Sequence, residues 1–149
     1  MRHLLLPYRL KYVGWLLILS GIFLFILYFW FNFRFKLPVF AVYSSFLTTR
    51  TFDSVKTNFA DETVLLVLIL GLGLTVFSKE KVETEFMDTI RAAALGRALV
   101  TNFLFLLFSI LFIYGSGFIT VLVLNTLSMP VFYLIHFHYL KWRKKDDPF

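Results

Sequence analysis

The longest uncharged stretch of this chain runs from Ala98 to Leu140 and reads ALVTNFLFLLFSILFIYGSGFITVLVLNTLSMPVFYLIHFHYL. Its 43 residues are too many for one membrane crossing, which takes about 20 apolar residues, and they suffice for two. Gly115, Ser116 and Gly117 divide the stretch, and glycine supplies the backbone freedom that a tight turn needs. We therefore expect an antiparallel pair of spans at about 98–114 and 118–140.

Two further uncharged stretches precede this pair. One covers the 22 residues from Tyr12 to Phe33, and the other covers the 16 residues from Thr63 to Ser78. The second stretch is short for a span, so we expect the helix to begin near residue 60. The first stretch is too long for the apolar part of a signal peptide and no small-residue cleavage pattern follows it, so we expect a retained anchor. The expected spans are thus about 12–33, 60–78, 98–114 and 118–140.

The composition excludes an ordinary soluble domain. Apolar residues make up 59% of the 149 residues, charged residues make up 16%, and 20 residues are Phe. A water-soluble fold of this length could not bury so much apolar surface. We predict an all-α fold in which residues 1–149 form a single transmembrane domain, an integral membrane four-helix bundle with the lipid bilayer as its surroundings.

The distribution of Lys and Arg predicts the orientation. Four spans place both termini on one side, together with the loop at 79–97. That side holds eleven basic residues, whereas the loop at 34–59 holds Arg34, Lys36, Arg50 and Lys56. The positive-inside rule then predicts a multi-pass inner-membrane protein with both termini in the cytoplasm. Because the basic residues cluster at span ends, topology and anionic lipid account for the net charge of +6, and we expect no nucleic-acid partner.

The outer loop, residues 34–59, is unusually apolar between Lys36 and Arg50. Spacings of three and four residues predict an amphipathic helix that begins just after Pro38. The segment is too short to span the bilayer, so we expect it to lie at the outer interface. A re-entrant loop remains the alternative.

The cytoplasmic loop, residues 79–97, is predicted to form an amphipathic helix between spans 2 and 3. Val82, Phe86, Ile90 and Ala93 follow a helical period, and Ser78 is a candidate N-cap. The charges of this helix are mixed in sign, which favours a contact with a partner protein over a contact with anionic lipid. The candidate partner-contact residues are Lys79, Glu80, Lys81, Glu83, Glu85, Asp88 and Arg91.

The residues that could carry chemistry are few. The carboxylates of the 79–97 loop are more typical of a solvated helix face than of a metal site, because no Glu-x-x-His motif accompanies them. His136 and His138 lie two residues apart, on nearly opposite faces of a helix, and a joint site with His3 is a remote alternative. Asn102 and Asn125 are expected to form hydrogen bonds between helices. We predict no catalytic residue, no metal and no cofactor.

Several segments carry a resemblance. LPVFAVYSSF, SKEKVETEF, the Ile90-Arg91 pair and the later Asn102-Phe103 pair resemble a group of small, uncharacterised four-span bacterial inner-membrane proteins. The resemblance implies the four-span layout with its inner loop, and it transfers no catalytic residue to this chain.

Three functional classes follow. The first is a non-catalytic membrane subunit or adaptor that binds a membrane or cytoplasmic protein, or a second copy of itself, through the inner helix and the outer loop. The second is a small channel or transporter component, which should line its path with polar residues on successive turns. The third is a lipid-acting membrane enzyme, which would need Glu83, Glu85 and a histidine to converge near the inner headgroups.

Overall fold

A computed structural model describes residues 5–31, 36–44, 50–58, 60–82 and 84–145. Four helices and one pair of strands contain most of these residues. In chain order they are α1 (Arg9–Phe31), β1 (Lys36–Ser44), β2 (Arg50–Asn58), α2 (Ala60–Phe77), α3 (Glu85–Phe112) and α4 (Ser116–Lys145). Gly115 has φ +71° at the turn between α3 and α4, a backbone conformation that glycine adopts without steric cost.

Three of the helices are long and apolar enough to cross a membrane. The qualifying segments are Arg9–Phe31, Phe86–Phe112 and Gly117–Arg143, with 23, 27 and 27 residues. The apolar part of α2 is shorter, and all 18 residues of the helix rise about 27 Å, close to the thickness of a hydrocarbon core. A helix satisfies its own backbone hydrogen bonds, which is the condition for stability in lipid.

Large apolar side chains cover the outside of these helices. Phe29 and Trp30 of α1 are 76% and 81% exposed, and Phe103 of α3 is 65% exposed. Exposed apolar surface of this extent would be unfavourable in water, and hydrocarbon removes the cost. Length, composition and exposure together suggest a multi-pass transmembrane protein.

The helices α1 and α2 pack closely at glycines. Gly14, Ile18 and Gly21 are the buried residues of α1; Gly71 of α2 lies against Gly14 and Ile18, and Leu68 of α2 lies against Gly21. A Cβ atom added at Gly71 would lie 2.9 Å from the backbone nitrogen of Ile18 and 3.0 Å from the carbonyl oxygen of Gly14. These glycines therefore allow the two backbones to touch, which is the usual basis of helix association in lipid.

The other pair, α3 and α4, encloses a small apolar core. Ile90, Ala94 and Ala98 of α3 pack with Tyr133, Phe137 and Leu140 of α4. The contact between α2 and α4 is smaller than the contact within either pair. The described chain is therefore two helix pairs joined through α2 and α4.

The prediction of a separate helix that begins after Ser78 is wrong. Ser78 forms a parallel bridge with Leu6, residues 79–82 are not helical, and α3 begins at Glu85 and continues through Phe112 as one helix. Thr84, not Ser78, is the N-cap residue of α3. The buried face of α3 carries Ile90, Ala94 and Ala98, whereas Val82 and Ala93 of the predicted apolar face are exposed.

The prediction of a helix in the outer loop is also wrong. β1 and β2 form an antiparallel two-stranded sheet whose register runs from Lys36 opposite Asn58 to Ser44 opposite Arg50. Val, Phe and Tyr in β1 and Thr, Phe and Val in β2 favour extended backbone, and this preference outweighed the three-and-four spacing of the apolar residues. Pro38 is compatible with β1, since each strand of a two-stranded sheet is an edge strand.

Candidate functional site at the charged end of the helices

Glu80 is the centre of an ionic cluster that joins three distant parts of the chain. Its carboxylate oxygen Oε1 accepts a hydrogen bond from Lys11 at the start of α1, and Oε2 accepts one from Lys141 in α4 at 2.8 Å. The side chain of Glu80 is 8% exposed, that of Lys11 13% and that of Lys141 40%. The cluster thus joins α1 and α4 to residues 78–84, the connector between α2 and α3.

The surroundings of Glu80 favour its charged form. Burial alone would raise the pKa of this carboxyl, but the hydrogen bonds and positive charges of Lys11 and Lys141 outweigh that effect, and the pKa of Glu80 lies below its ordinary value. Loss of either ammonium partner would leave the negative charge of this buried carboxylate less well compensated. The two ion pairs therefore hold Glu80 in one position.

The backbone reinforces the same junction. The amide nitrogen of Leu6 donates to the carbonyl oxygen of Phe77 at 2.8 Å, and the amide nitrogen of Lys79 donates to the carbonyl oxygen of Leu6 at 2.9 Å. The segment before α1 is therefore joined to the C-terminal end of α2. Together with the Glu80 pairs, these bonds place the start of α1, the end of α2 and the last part of α4 at one end of the molecule.

Arg91 of α3 completes this end. It is 4% exposed, its guanidinium carbon lies 5.5 Å from the centre of the Phe137 ring, and Nη1 lies 3.5 Å from the carbonyl oxygen of Ser78. Stacking of a guanidinium on an aromatic ring in a desolvated place stabilises the cation. Arg91 thereby connects α3 to α4 and to the end of α2.

The seven candidate partner-contact residues do not form one exposed face. Glu80 and Arg91 are buried, Lys79 and Asp88 are half-buried, and Lys81 is exposed. Glu85 is the first residue of α3, and Glu83 lies outside the described residues. The connector and the first turn of α3 add exposed apolar surface, because Val82 is 67% exposed and Phe86 of α3 is 44% exposed.

Asn102 and Asn125 face each other across α3 and α4. Asn125 Nδ2 lies 3.4 Å from Asn102 Oδ1, which also accepts a hydrogen bond from the hydroxyl of Ser128. Ser128 Oγ is 2.9 Å from the carbonyl oxygen of Asn125. Hydrocarbon offers no alternative partner to these groups, so the cluster favours contact between the two helices.

A second polar contact joins the same helices nearer the charged end. Thr101 Oγ1 lies 2.9 Å from the carbonyl oxygen of Arg97 and 3.0 Å from His136 Nε2. The Thr101 hydroxyl therefore links His136 of α4 to the backbone of α3. His138 is exposed and contacts the carbonyl oxygen of Leu134 instead, and His3 lies outside the described residues. No group of three metal-binding side chains occurs within the described ranges.

Two cavities lie beside the contact between α2 and α4. One, of about 380 Å³, is bounded by α2, α3 and α4 near the charged end, and the other, of about 700 Å³, is bounded by α1, α2 and α4. Aliphatic and aromatic residues supply most of both linings, with Arg91 in the smaller cavity and Glu62 in the larger. Such linings suit apolar contents.

Comparisons with protein-family models, curated proteins and solved structures found no match to this chain. Functional inference therefore rests on the geometry of the chain.

Sequence reasoning missed the Glu80 cluster because its partners are 69 and 61 residues away along the chain. One signal was present in the sequence. Lys11, Glu80 and Lys141 all lie at span ends that the four-span layout places on one side, where a carboxylate attracts basic side chains from other helices. The periodicity of the 79–97 loop concealed this signal, because it placed Glu80 on a solvated helix face.

Proposed function

We propose that this chain is a non-catalytic membrane subunit or adaptor. It crosses the inner membrane four times as a four-helix bundle, keeps both termini in the cytoplasm, and binds a partner protein through the β1–β2 hairpin on the outer side and through the connector on the inner side. The excess of basic residues in the segments assigned to the inner side supports the orientation.

The hairpin is the observation that carries the proposal. Each strand has nine residues and extends about 30 Å, well beyond what is needed to connect α1 to α2. Two strands alone are marginally stable in water, and among the described residues each strand leaves its outer row of backbone groups outside the ladder. An extended segment of a partner protein can pair with such an edge and stabilise the hairpin.

The connector and the start of α3 supply the second contact surface. Val82 of the connector and Phe86 of α3 are exposed apolar side chains, close in sequence to the exposed Lys81. Glu80 and Arg91, which the sequence also assigned to partner contact, are buried at the junction of the helices, so the proposed inner contact surface consists of exposed residues.

Site-specific photo-crosslinking in native membranes tests the adaptor. A photoreactive residue in place of Thr51 in β2, or in place of Val82, should give a heterologous adduct of one defined mass. The same residue in place of Leu104, which is 57% exposed on α3, should give none. The variant Val55→Pro removes a backbone donor from β2 and should abolish the adduct at Thr51, whereas Val55→Ala keeps the donor and the adduct. Absence of heterologous adducts from both surfaces would contradict the proposal.

A channel or transporter component has less support. A path for ions or polar solutes needs polar groups on successive turns, whereas aliphatic and aromatic side chains supply most of both cavity linings.

A further inference from the structure

The smaller cavity has an unusual position and lining. It lies between the two helix pairs and is bounded by α2, α3 and α4, with Leu5 beside it. Its apolar wall includes Val76, Leu95 and Met129. Arg91 supplies a positive charge at the end nearest the Glu80 cluster. Gly73 also lines it, and a Cβ atom added there would meet nothing within 4 Å.

An apolar volume of about 380 Å³ at this depth is not stable as a void. A vacant space deprives its lining of dispersion contacts, and water gains too few hydrogen bonds from an apolar wall to fill it. The helices that form the wall are surrounded by hydrocarbon, since their outer surfaces carry exposed Phe, Leu and Ile. A lipid acyl chain is the matching occupant.

The charge at the end of the cavity selects among lipids. Arg91 is held in place by Phe137 and by the carbonyl oxygen of Ser78. Exposed basic residues surround the same end of the molecule: Arg9, Lys81, Arg97 and Arg143. A positive end of this kind complements a negatively charged headgroup, because basic residues near the membrane surface attract anionic lipid.

We propose that this cavity is a binding site for an anionic phospholipid. One acyl chain occupies the space between α2, α3 and α4, and the headgroup lies at the positive end beside Arg91. The bound lipid fills the gap between the two helix pairs, which contact each other less than α1 contacts α2 or α3 contacts α4. This site is separate from the surfaces assigned to partner binding.

Photolabelling with phosphatidylglycerol that carries a diazirine on its acyl chain tests the site. The full-length protein is reconstituted in nanodiscs with the probe, irradiated and mapped by peptide mass spectrometry. Adducts should concentrate on Val76, Leu95 and Met129, and the same diazirine chain on phosphatidylcholine should label these residues less. Equal labelling by the two lipids, or labelling spread evenly over the exposed residues of α1, would overturn the proposal.

A pair of glycine variants provides the matched control. Gly73→Phe places a ring in the cavity, whereas Gly96→Phe adds the same ring on α3 at another position where a Cβ meets nothing within 4 Å. Gly73→Phe should lower the yield of cavity adducts about tenfold, the change expected when about two buried methylenes are excluded. Gly96→Phe should leave the yield unchanged. Unchanged labelling in Gly73→Phe, with the adducts still on the cavity residues, would also overturn the proposal.

Discussion

Substitution of Gly71 by Ala is a sharp test of how α1 and α2 pack. The added Cβ would lie 2.9 Å from the backbone nitrogen of Ile18, 3.0 Å from the carbonyl oxygen of Gly14 and 3.0 Å from Ile18 Cγ1. Two of these three atoms belong to the backbone of α1, so no side-chain rotation relieves the overlap. The helices must separate, and the contacts on both sides of the crossing weaken with them.

The size of the effect follows from two opposing contributions. Overpacking of a tight contact costs about 1–3 kcal/mol, while replacing a helical Gly by Ala gains up to about 1 kcal/mol. Gly73→Ala gains the same helix propensity two residues away, and its Cβ meets nothing within 4 Å. The difference between the two variants isolates the contact. We expect Gly71→Ala to be less stable than Gly73→Ala by about 1–3 kcal/mol, which is fivefold to more than a hundredfold in the folding equilibrium.

Equilibrium unfolding by sodium dodecyl sulfate in mixed micelles measures this difference. The fluorescence of Trp15, next to Gly14, reports on the α1–α2 contact, and variants that replace the other two tryptophans simplify the signal. The midpoint of Gly73→Ala should equal or exceed that of the unsubstituted protein, and the midpoint of Gly71→Ala should fall below both. Coincident midpoints for the two variants would refute the close approach of α1 and α2 at Gly71.

Three further predictions concern the polar contacts. Glu80→Gln should lower the free energy of unfolding by about 1.5–3 kcal/mol, because the hydrogen bonds from Lys11 and Lys141 lose their ionic character. An unchanged unfolding midpoint at neutral pH would contradict a stabilising role of the Glu80 ion pairs. Since its pKa in the folded protein lies below the ordinary value of 4.5, Glu80 contributes its full stabilisation above that pH and loses it as the pH falls through the lowered pKa. Unfolding measured at several pH values should therefore show a smaller acid-induced loss in Glu80→Gln than in the unsubstituted protein, and parallel curves would exclude the ionic pairs as the cause. Asn102→Leu and Asn125→Leu should each lower the free energy of unfolding by about 0.6–1.7 kcal/mol. A double-mutant cycle should show that the two losses are not additive, and strict additivity would mean that the two amides do not interact.

The helices that cross the apolar layer could be predicted from the sequence because hydrocarbon imposes a simple rule. A charged side chain within the apolar layer is costly, so the uncharged run of residues 12–33 overlaps α1 (Arg9–Phe31). Gly115 lies at the turn that was expected within the longest uncharged run. The same rule is weaker at the ends of helices. A helix can continue beyond the apolar layer, so α3 begins at Glu85 and α4 continues to Lys145, outside the uncharged residues.

The segments outside the apolar layer were harder to predict, since two periodicities compete in short stretches of sequence. Val39, Phe40, Val42 and Tyr43 satisfy a helical spacing, yet these residue types also favour extended structure, and pairing with residues 50–58 decides between the two. Such pairing is a long-range contact that local periodicity does not encode. Burial of Glu80 likewise depends on Lys11 and Lys141, which reach it only after the helices have packed.

The four-crossing arrangement is the claim on which the proposals about partners depend, and the absence of cysteine from the sequence makes it directly testable. Thr51→Cys places a single thiol in the hairpin, and Lys81→Cys places one in the connector. A membrane-impermeant maleimide applied to intact spheroplasts should label Thr51→Cys at once and should label Lys81→Cys only after the membrane is permeabilised. Labelling of both thiols from the same side would show that α2 does not cross the membrane and would contradict the arrangement.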